Sequence, residues 1–172
     1  MTPESRAEFT ALLETHRRLV LKIASTYARE RADVEDLAQE IAAQVWRAFP
    51  DFDRSRRFST WLYRIGLNVA ISWLRSEAPR RRRSVPYDPE EHEPMVAGAA
   101  AESAEEERRR ILGGFIEAQD PLNRAVLLLY LEEHSYAEMS EILGVSETSL
   151  TTKISRLKDR LRTYAENHHG TR

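Results

Sequence analysis

The chain contains no cysteine, which excludes disulfide bridges and metal sites built from thiolates. No run of apolar residues is long enough to cross a membrane, and the N-terminus lacks the pattern of a secretory signal peptide. The 172 residues also lack a phosphate-binding glycine loop, a nucleophile paired with a base, and a cluster of metal ligands. The sequence therefore predicts a soluble cytoplasmic protein that inserts into no membrane, binds no cofactor or metal, and is not an enzyme.

The net charge is only −2 although 31% of the residues are charged, so the chain lacks the overall basicity of a protein that coats DNA. The distribution of charge is uneven, however. Residues 1–83 hold 16 Lys/Arg and 11 Asp/Glu, residues 84–110 hold 3 and 8, and residues 111–172 hold 7 and 9. Within the last part, residues 147–162 hold 5 basic and 2 acidic side chains. Two locally basic surfaces are therefore predicted, with an acidic segment between them.

The strongest local pattern lies near the C-terminus. Ser135 followed by Glu138 has the form of a capping box and predicts a helix start, Gly144 predicts the turn that ends this helix, and Ser146 can cap a second helix. The second helix has one apolar stripe, formed by Leu150, Ile154, Leu157 and Leu161. Its other face is small, polar and basic, as in the recognition helix of a helix-turn-helix, which offers donors to phosphates and base edges. We favour DNA binding over the alternative, an ordinary helical hairpin with a solvated face.

Three stretches of the N-terminal half have apolar residues at helical spacing. Residues 5–30 are predicted to form one helix. Residues 33–49 are predicted to form a second, whose outer face is mostly acidic and could dock a basic partner, although acidic residues at a helix start are also ordinary. Ser59 is predicted to cap a third helix that ends at about Arg75.

The third helix places aromatic and cationic side chains on one surface, which suits single-stranded DNA because exposed bases stack and phosphates need counter-charge. Trp61 fits this role and a core position equally well, whereas Trp73 is expected in the core. After this helix, residues 84–104 contain three prolines, an Ala/Gly run and many acidic residues, which predicts a flexible linker. The predicted fold is all-α, with small helical domains at residues 1–83 and 108–172 joined by a linker at residues 84–107.

Two motifs, in this order, carry a family resemblance. Residues 33–40 are Asp-Val-Glu-Asp-Leu-Ala-Gln-Glu, and residues 58–68 are Phe-Ser-Thr-Trp-Leu-Tyr-Arg-Ile-Gly-Leu-Asn. A linker and a terminal helix-turn-helix that begins Ser135-Tyr136 follow them. Over residues 8–163 the chain closely resembles bacterial RNA polymerase sigma factors of the extracytoplasmic-function (ECF, group IV) type.

The resemblance implies a subunit that binds core RNA polymerase, brings it to promoter DNA and helps to melt that DNA at the start of transcription. The residues implied to face the polymerase clamp are Asp36, Gln39 and Glu40. The residues implied to meet the minus-ten element are Arg56, Phe58, Trp61, Arg64, Asn68 and Ser72. The residues implied to read the minus-thirty-five element are Thr148, Ser149, Thr151, Thr152, Lys153 and Arg156. An anti-sigma factor is a further implied partner, because such proteins commonly hold members of the family inactive.

Thr151 departs from the family pattern, because many members have a basic residue at this place in the recognition helix. The phosphate contact of a basic residue at this place is therefore not implied for this chain. Two alternatives remain open from the sequence. A stand-alone helix-turn-helix regulator would bind duplex DNA without polymerase, and a structural adaptor would use its helices for protein contacts alone.

Overall fold

The computed structural model describes residues 2–81 and 104–168, and within these ranges the regular structure is helical. The helices are α1 (Pro3–Thr15), α2 (Arg17–Tyr27), α3 (Arg31–Ala48), α4 (Phe58–Arg81), α5 (Ala104–Glu117), α6 (Pro121–Leu131), α7 (Tyr136–Leu143) and α8 (Glu147–His168), with a 3₁₀ turn at Phe49–Asp51. The predicted all-α fold is confirmed. Most of the predicted linker lies outside the described residues, and α5 begins at Ala104. Among the described helices, none is long and apolar enough to cross a bilayer.

The N-terminal domain is built on α2, α3 and α4, which pack against one another. Ile23, Leu37 and Leu62, one from each helix, are fully buried where the three helices meet. Gly66 permits the close approach of α4, because a Cβ atom at this position would lie 2.8 Å from Cδ1 of Ile23.

Several helix boundaries in this domain differ from the predictions, and α3 already begins at Arg31 rather than at residue 33. The single helix predicted for residues 5–30 is wrong, because the chain leaves helical geometry at His16 (φ −104°, ψ 14°) between α1 and α2. The Nδ1–H of His16 donates to the Leu12 carbonyl at 2.8 Å and its ring lies 5.1 Å from the Phe58 ring, so local bonding and tertiary contact accompany the break. Ser59 is not a cap, since α4 already begins at Phe58 and continues to Arg81.

The C-terminal domain consists of α5 to α8 around the fully buried Leu129, Met139 and Leu150. The start of α6 is fixed by residues close to it in the sequence. The Asp120 side chain accepts a hydrogen bond from the Asn123 N–H at 3.0 Å, and Pro121 occupies the first helical position of α6, where no N–H is needed. The two domains also touch each other through α2 and α4 on one side and α5, α6 and α7 on the other.

Candidate nucleic-acid interface

The helix-turn-helix predicted from the sequence is formed by α7 and α8. At the start of α7 the Ser135 hydroxyl accepts from the Glu138 N–H at 3.2 Å, and the Glu138 carboxylate accepts from the Ser135 N–H at 2.9 Å. The Ser135 N–H and the Ser135 hydroxyl, which also donates to the Glu138 carboxylate at 3.0 Å, hold the pKa of Glu138 below its usual range because they favour the ionised form. Gly144 ends α7 in the left-handed region at φ +67°. Both ends of this short helix are thus fixed by local bonds.

The exposed face of α8 carries the predicted minus-thirty-five residues. Leu150, Ile154 and Leu157 are buried and hold the helix by its other side. The Ser146 hydroxyl accepts from the Ser149 N–H at 3.3 Å, as expected for a cap. The exposed members of the predicted set are Thr148, Ser149, Thr151, Thr152 and Arg156, while Lys153 is half-buried. Held by its buried side, α8 therefore presents the hydroxyls of this set and the Arg156 guanidinium to solvent.

The hydroxyls of Thr151 and Thr152 are already oriented by the helix. Each donates to the carbonyl four residues earlier, at 2.9 Å to Glu147 and 3.1 Å to Thr148. The hydroxyl oxygen keeps acceptor capacity and the methyl group stays available for apolar contact. These positions can therefore accept from a base-edge amino group or touch a thymine methyl, whereas a phosphate would need a donor.

An aromatic cluster supports the second predicted DNA surface, at the start of α4. Phe49, Phe52 and Phe58 are buried with their ring centroids 5.5–6.3 Å apart, and Trp61 lies half-buried on this cluster, 4.8 Å from Phe52. Phe58 is only 6% exposed, so its side chain supports the surface from the core. Trp61 packs partly against this cluster and partly lines a cleft, so its core position is only partial and its contact with DNA stays a prediction.

The loop before α4 is held in place by charge. Arg54 forms a bidentate pair with Glu8, with Nε–Oε1 and Nη2–Oε2 distances of 3.0 and 2.7 Å. The hydrogen bond from Arg54 holds the pKa of Glu8 below its usual range. The carboxylate of Asp53 accepts from the Ser55 N–H at 2.9 Å and closes the turn. The backbone ahead of Arg56 is therefore ordered.

The predicted minus-ten residues divide between two concave regions. Trp61, Arg64 and Arg56 line a cleft of about 260 Å³ together with Arg57 and Thr60. Asn68 and Ser72 lie one and two turns further along α4, exposed, in a groove of about 470 Å³ shared with Glu40.

Two carboxylates from α7, Glu138 and Glu141, also line the cleft. In this arrangement Arg56 Nη1 lies 2.7 Å from Glu141, and Arg57 Nη1 lies 3.6 Å from Glu138. Arg57 belongs to the loop before α4, and Thr60 lies on the same side of α4 as Arg64, so both extend the predicted surface.

The predicted polymerase-facing residues Asp36, Gln39 and Glu40 are all exposed on α3. Glu40 accepts from the Gln44 amide at 3.0 Å and lies 3.9 Å from Arg47. Gln39 borders a groove of about 420 Å³ between α3 and the first two helices, whose apolar lining is Leu13, Val20, Leu21, Ala38 and Ala42. The sequence analysis missed this apolar component. The sequence feature that could have indicated this groove is Leu21, a large apolar residue beside Lys22. In the structure Leu21 is 39% exposed.

Two family models match the chain, one over the N-terminal domain and one over the C-terminal domain. The Sigma-70 region 2 family matches residues 12–80, which include the acidic helix and the aromatic cluster. The Sigma-70, region 4 family matches residues 119–161, which include the helix-turn-helix. The chain belongs to the sigma-70 family, and ECF sigma factors are among its relatives.

Among relatives of this sigma factor, the ECF RNA polymerase sigma-E factor of Escherichia coli is 29% identical over 160 residues, covering 88% of this chain and 83% of the relative. The ECF RNA polymerase sigma factor SigW of Bacillus subtilis is 28% identical over 138 residues, covering 76% and 74%. The sigma factor therefore serves promoter recognition and transcription initiation.

Solved structures share the fold of this sigma factor. CnrH, in complex with the cytosolic domain of CnrY, has a TM-score of 0.66 at 23% identity and covers 94% of this chain and 90% of its own. The sigma factor RpoE of Bartonella quintana, in complex with the anti-sigma factor NepR, also has a TM-score of 0.66, at 18% identity, with coverages of 92% and 97%.

Proposed function

We propose that the two domains of this sigma factor divide promoter recognition between duplex and single-stranded DNA while core RNA polymerase holds both. The observation that carries the proposal is the contrast between the two exposed faces. The face of α8 is polar and rigid, whereas the start of α4 combines cations with a partly exposed indole.

The minus-thirty-five element is assigned to α8. An α-helix fits the major groove, where each base pair presents a distinct set of donors and acceptors. Thr151 and Thr152 present hydroxyls oriented by the helix, and the Ser149 hydroxyl accepts from the Ser146 hydroxyl at 3.0 Å. Arg156 can donate to a base edge or a phosphate. We assign Thr148 and Lys153 to the flanks of this contact, since Lys153 is half-buried.

The minus-ten element is assigned to the non-template strand along α4. Trp61 offers a π-face for stacking, and Arg56 and Arg64, which line the same cleft, supply counter-charge. Asn68 and Ser72 extend the surface with hydrogen-bonding groups at helical spacing. An unstacked base needs such a pocket and such phosphate contacts to offset the cost of leaving the duplex. Phe58 is assigned a supporting role because it is buried.

Core polymerase is assigned to the exposed side of α3, with Asp36, Gln39 and Glu40 as polar contacts. The apolar groove beside Gln39 would give this contact a desolvated centre, since interface cores are apolar and their rims are polar.

The protein acts as a binding subunit without catalysis of its own, in the cytoplasm and on the nucleoid, where polymerase and DNA lie. An anti-sigma factor is the proposed regulatory partner, by analogy with the anti-sigma complex of a structurally similar sigma factor.

In vitro transcription with purified core polymerase tests this proposal. Fragmented genomic DNA of the source organism is the template, and the 5′ ends of the transcripts are sequenced. We expect added protein to produce transcripts from a small set of sites that share two upstream elements. Absence of any protein-dependent start site would contradict the proposal. A stand-alone regulator would instead bind a duplex site equally well without polymerase, and an adaptor would show no salt-sensitive DNA affinity in either case.

A further inference from the structure

The ion pairs across the domain interface all have the same orientation of charge. Four pairs between described residues join the domains, and in each the cation comes from the N-terminal domain and the carboxylate from the C-terminal domain. Lys22–Glu132 is 2.6 Å, Arg56–Glu141 is 2.7 Å and Arg57–Glu138 is 3.6 Å, and Arg29–Glu117 is a direct contact. This matches the charge difference between the two halves of the sequence. The domains are therefore held together by complementary surfaces.

Hydrogen bonds and a ring contact accompany these ion pairs at the domain interface. The Tyr27 hydroxyl donates to the Pro121 carbonyl at 2.7 Å, and the Tyr63 ring meets the His134 ring edge-on at a centroid distance of 5.0 Å. Burial, together with the nearby Glu132 charge, raises the pKa of Tyr63 to about 12. Arg124 also reaches the Thr26 carbonyl at 3.5 Å. The interface thus joins polar and aromatic contacts to the ion pairs.

Two of the four ion pairs lie on the proposed minus-ten surface. Glu138 and Glu141 are three residues apart on α7, so their carboxylates project from one side of the helix. They line the same cleft as Trp61 and Arg64 and neutralise Arg56 and Arg57. A guanidinium group binds a carboxylate or a phosphate through the same N–H groups, which can form two parallel hydrogen bonds. A phosphate cannot therefore occupy the edge of Arg56 that Glu141 already holds.

We propose that the acidic side of α7 is an intramolecular substitute for DNA phosphates, which masks the minus-ten surface while the sigma factor is free of polymerase. This inference rests on the proposed assignment of that surface. The pairs are solvent-exposed, with side-chain exposures of 60% and 47% for Arg56 and Glu141, so each is weak and sensitive to salt. The closed arrangement is accordingly reversible, and a polymerase that holds the two domains apart would free the cleft.

Lys22 offers a direct test of the closed arrangement, because its Nζ lies 2.6 Å from Glu132 Oε2. A zero-length carbodiimide should join these groups as an amide within the monomer, with water taken up by the reagent as a urea, and mass spectrometry would detect the link. Lys22→Arg is the matched control, since it keeps the charge but removes the reactive amine. We expect the link at low ionic strength and a lower yield at high salt. Its absence from the wild-type monomer at low salt would overturn the proposal.

Binding of a fluorescent dT20 oligonucleotide to the full chain tests the masking. Glu141→Gln removes one blocking carboxylate and leaves the Ser135–Glu138 capping box intact. Glu166→Gln makes the same charge change at an exposed position near the end of α8. We expect Glu141→Gln to bind dT20 about two- to fivefold more tightly than wild type, the range expected for one exposed pair, and Glu166→Gln to match wild type. Equal affinities for the two variants would overturn the masking.

The cross-linked monomer supplies the converse measurement. We expect it to bind dT20 more weakly than carbodiimide-treated Lys22→Arg, and equal binding would again overturn the proposal. These outcomes are separable from the proposed function. A normal cross-link without promoter-directed transcription would contradict the function alone, whereas normal transcription without the cross-link would contradict the closed state alone.

Discussion

The two domains of this sigma factor differ in how their proposed DNA surfaces are built. In the C-terminal domain, Ser135, Gly144 and Ser146 define α7 and the start of α8 through bonds that span three or four residues. In the N-terminal domain, Trp61 and the cations beside it rest on aromatic rings that come together only in the folded chain. The surface proposed to read duplex DNA is thus specified by local bonds, whereas the surface proposed to hold unstacked bases depends on tertiary packing.

The largest expected effect concerns the aromatic support. Phe58→Ala should destabilise the N-terminal domain by about 3–5 kcal/mol, because it leaves a cavity among buried rings. Chemical denaturation followed by circular dichroism measures this loss. Arg64→Ala, an exposed change on the same helix, is the control and should stay within about 0.5 kcal/mol of wild type. Similar stabilities for the two variants would show that Phe58 lies on the surface.

The next effect tests the surface proposed to read duplex DNA. Arg156→Ala should weaken binding of the polymerase holoenzyme to its upstream element by about 1–3 kcal/mol if the guanidinium contacts a base edge, and specificity should relax at one base pair. A phosphate contact would instead weaken all sequences alike. Competition binding with single-base variants of the upstream element distinguishes these results. Arg162→Ala, on the same helix and paired with Asp159, is the control. An unchanged affinity for Arg156→Ala would remove it from the interface.

A smaller effect is expected for the α3 surface. The double variant Asp36→Ala, Gln39→Ala should weaken core polymerase binding by about 1 kcal/mol or more while leaving the fold intact, because both side chains are exposed. Fluorescence anisotropy with labelled protein measures the affinity, and circular dichroism checks the fold. Glu4→Ala on α1 is a control of the same exposed kind. Unaltered affinity of the double variant would contradict the docking assignment.

The smallest effect is a pH dependence of the capping box. Bonding from Ser135 lowers the pKa of Glu138 in the folded state, so its stabilising contribution is present above the pKa of the unfolded chain and is lost as pH falls through the folded value. Thermal midpoints between about pH 3 and 7 should therefore fall less steeply for Glu138→Gln than for wild type. Identical slopes of thermal midpoint against pH for the two proteins would show that protonation of Glu138 is not coupled to folding.

The same contrast explains what the sequence could predict. The start signal Ser135–Glu138 depends only on residues three positions apart, and the structure confirms it. The break at His16 has no proline or glycine to announce it, so the periodicity of the apolar residues extends across it. The burial of Phe58 follows from packing with Phe49 and Phe52, which no local pattern records.

Long-range charge pairing was beyond sequence reasoning for a similar reason. Arg56 and Glu141 are 85 residues apart in the chain, and each belongs to a region with several equivalent charges. Composition indicated that the halves carry opposite excess charge, but it could not select the partners. The apolar groove beside Gln39 also required the spatial arrangement of three helices.

Capture of duplex genomic fragments by the tagged protein, with and without core polymerase, tests the central claim most directly. The account predicts that polymerase is required for enrichment of a defined set of fragments, since the free domains cover part of each other and neither carries a strong basic excess. Tight enrichment of one duplex site by the protein alone, unchanged when polymerase is added, would contradict it.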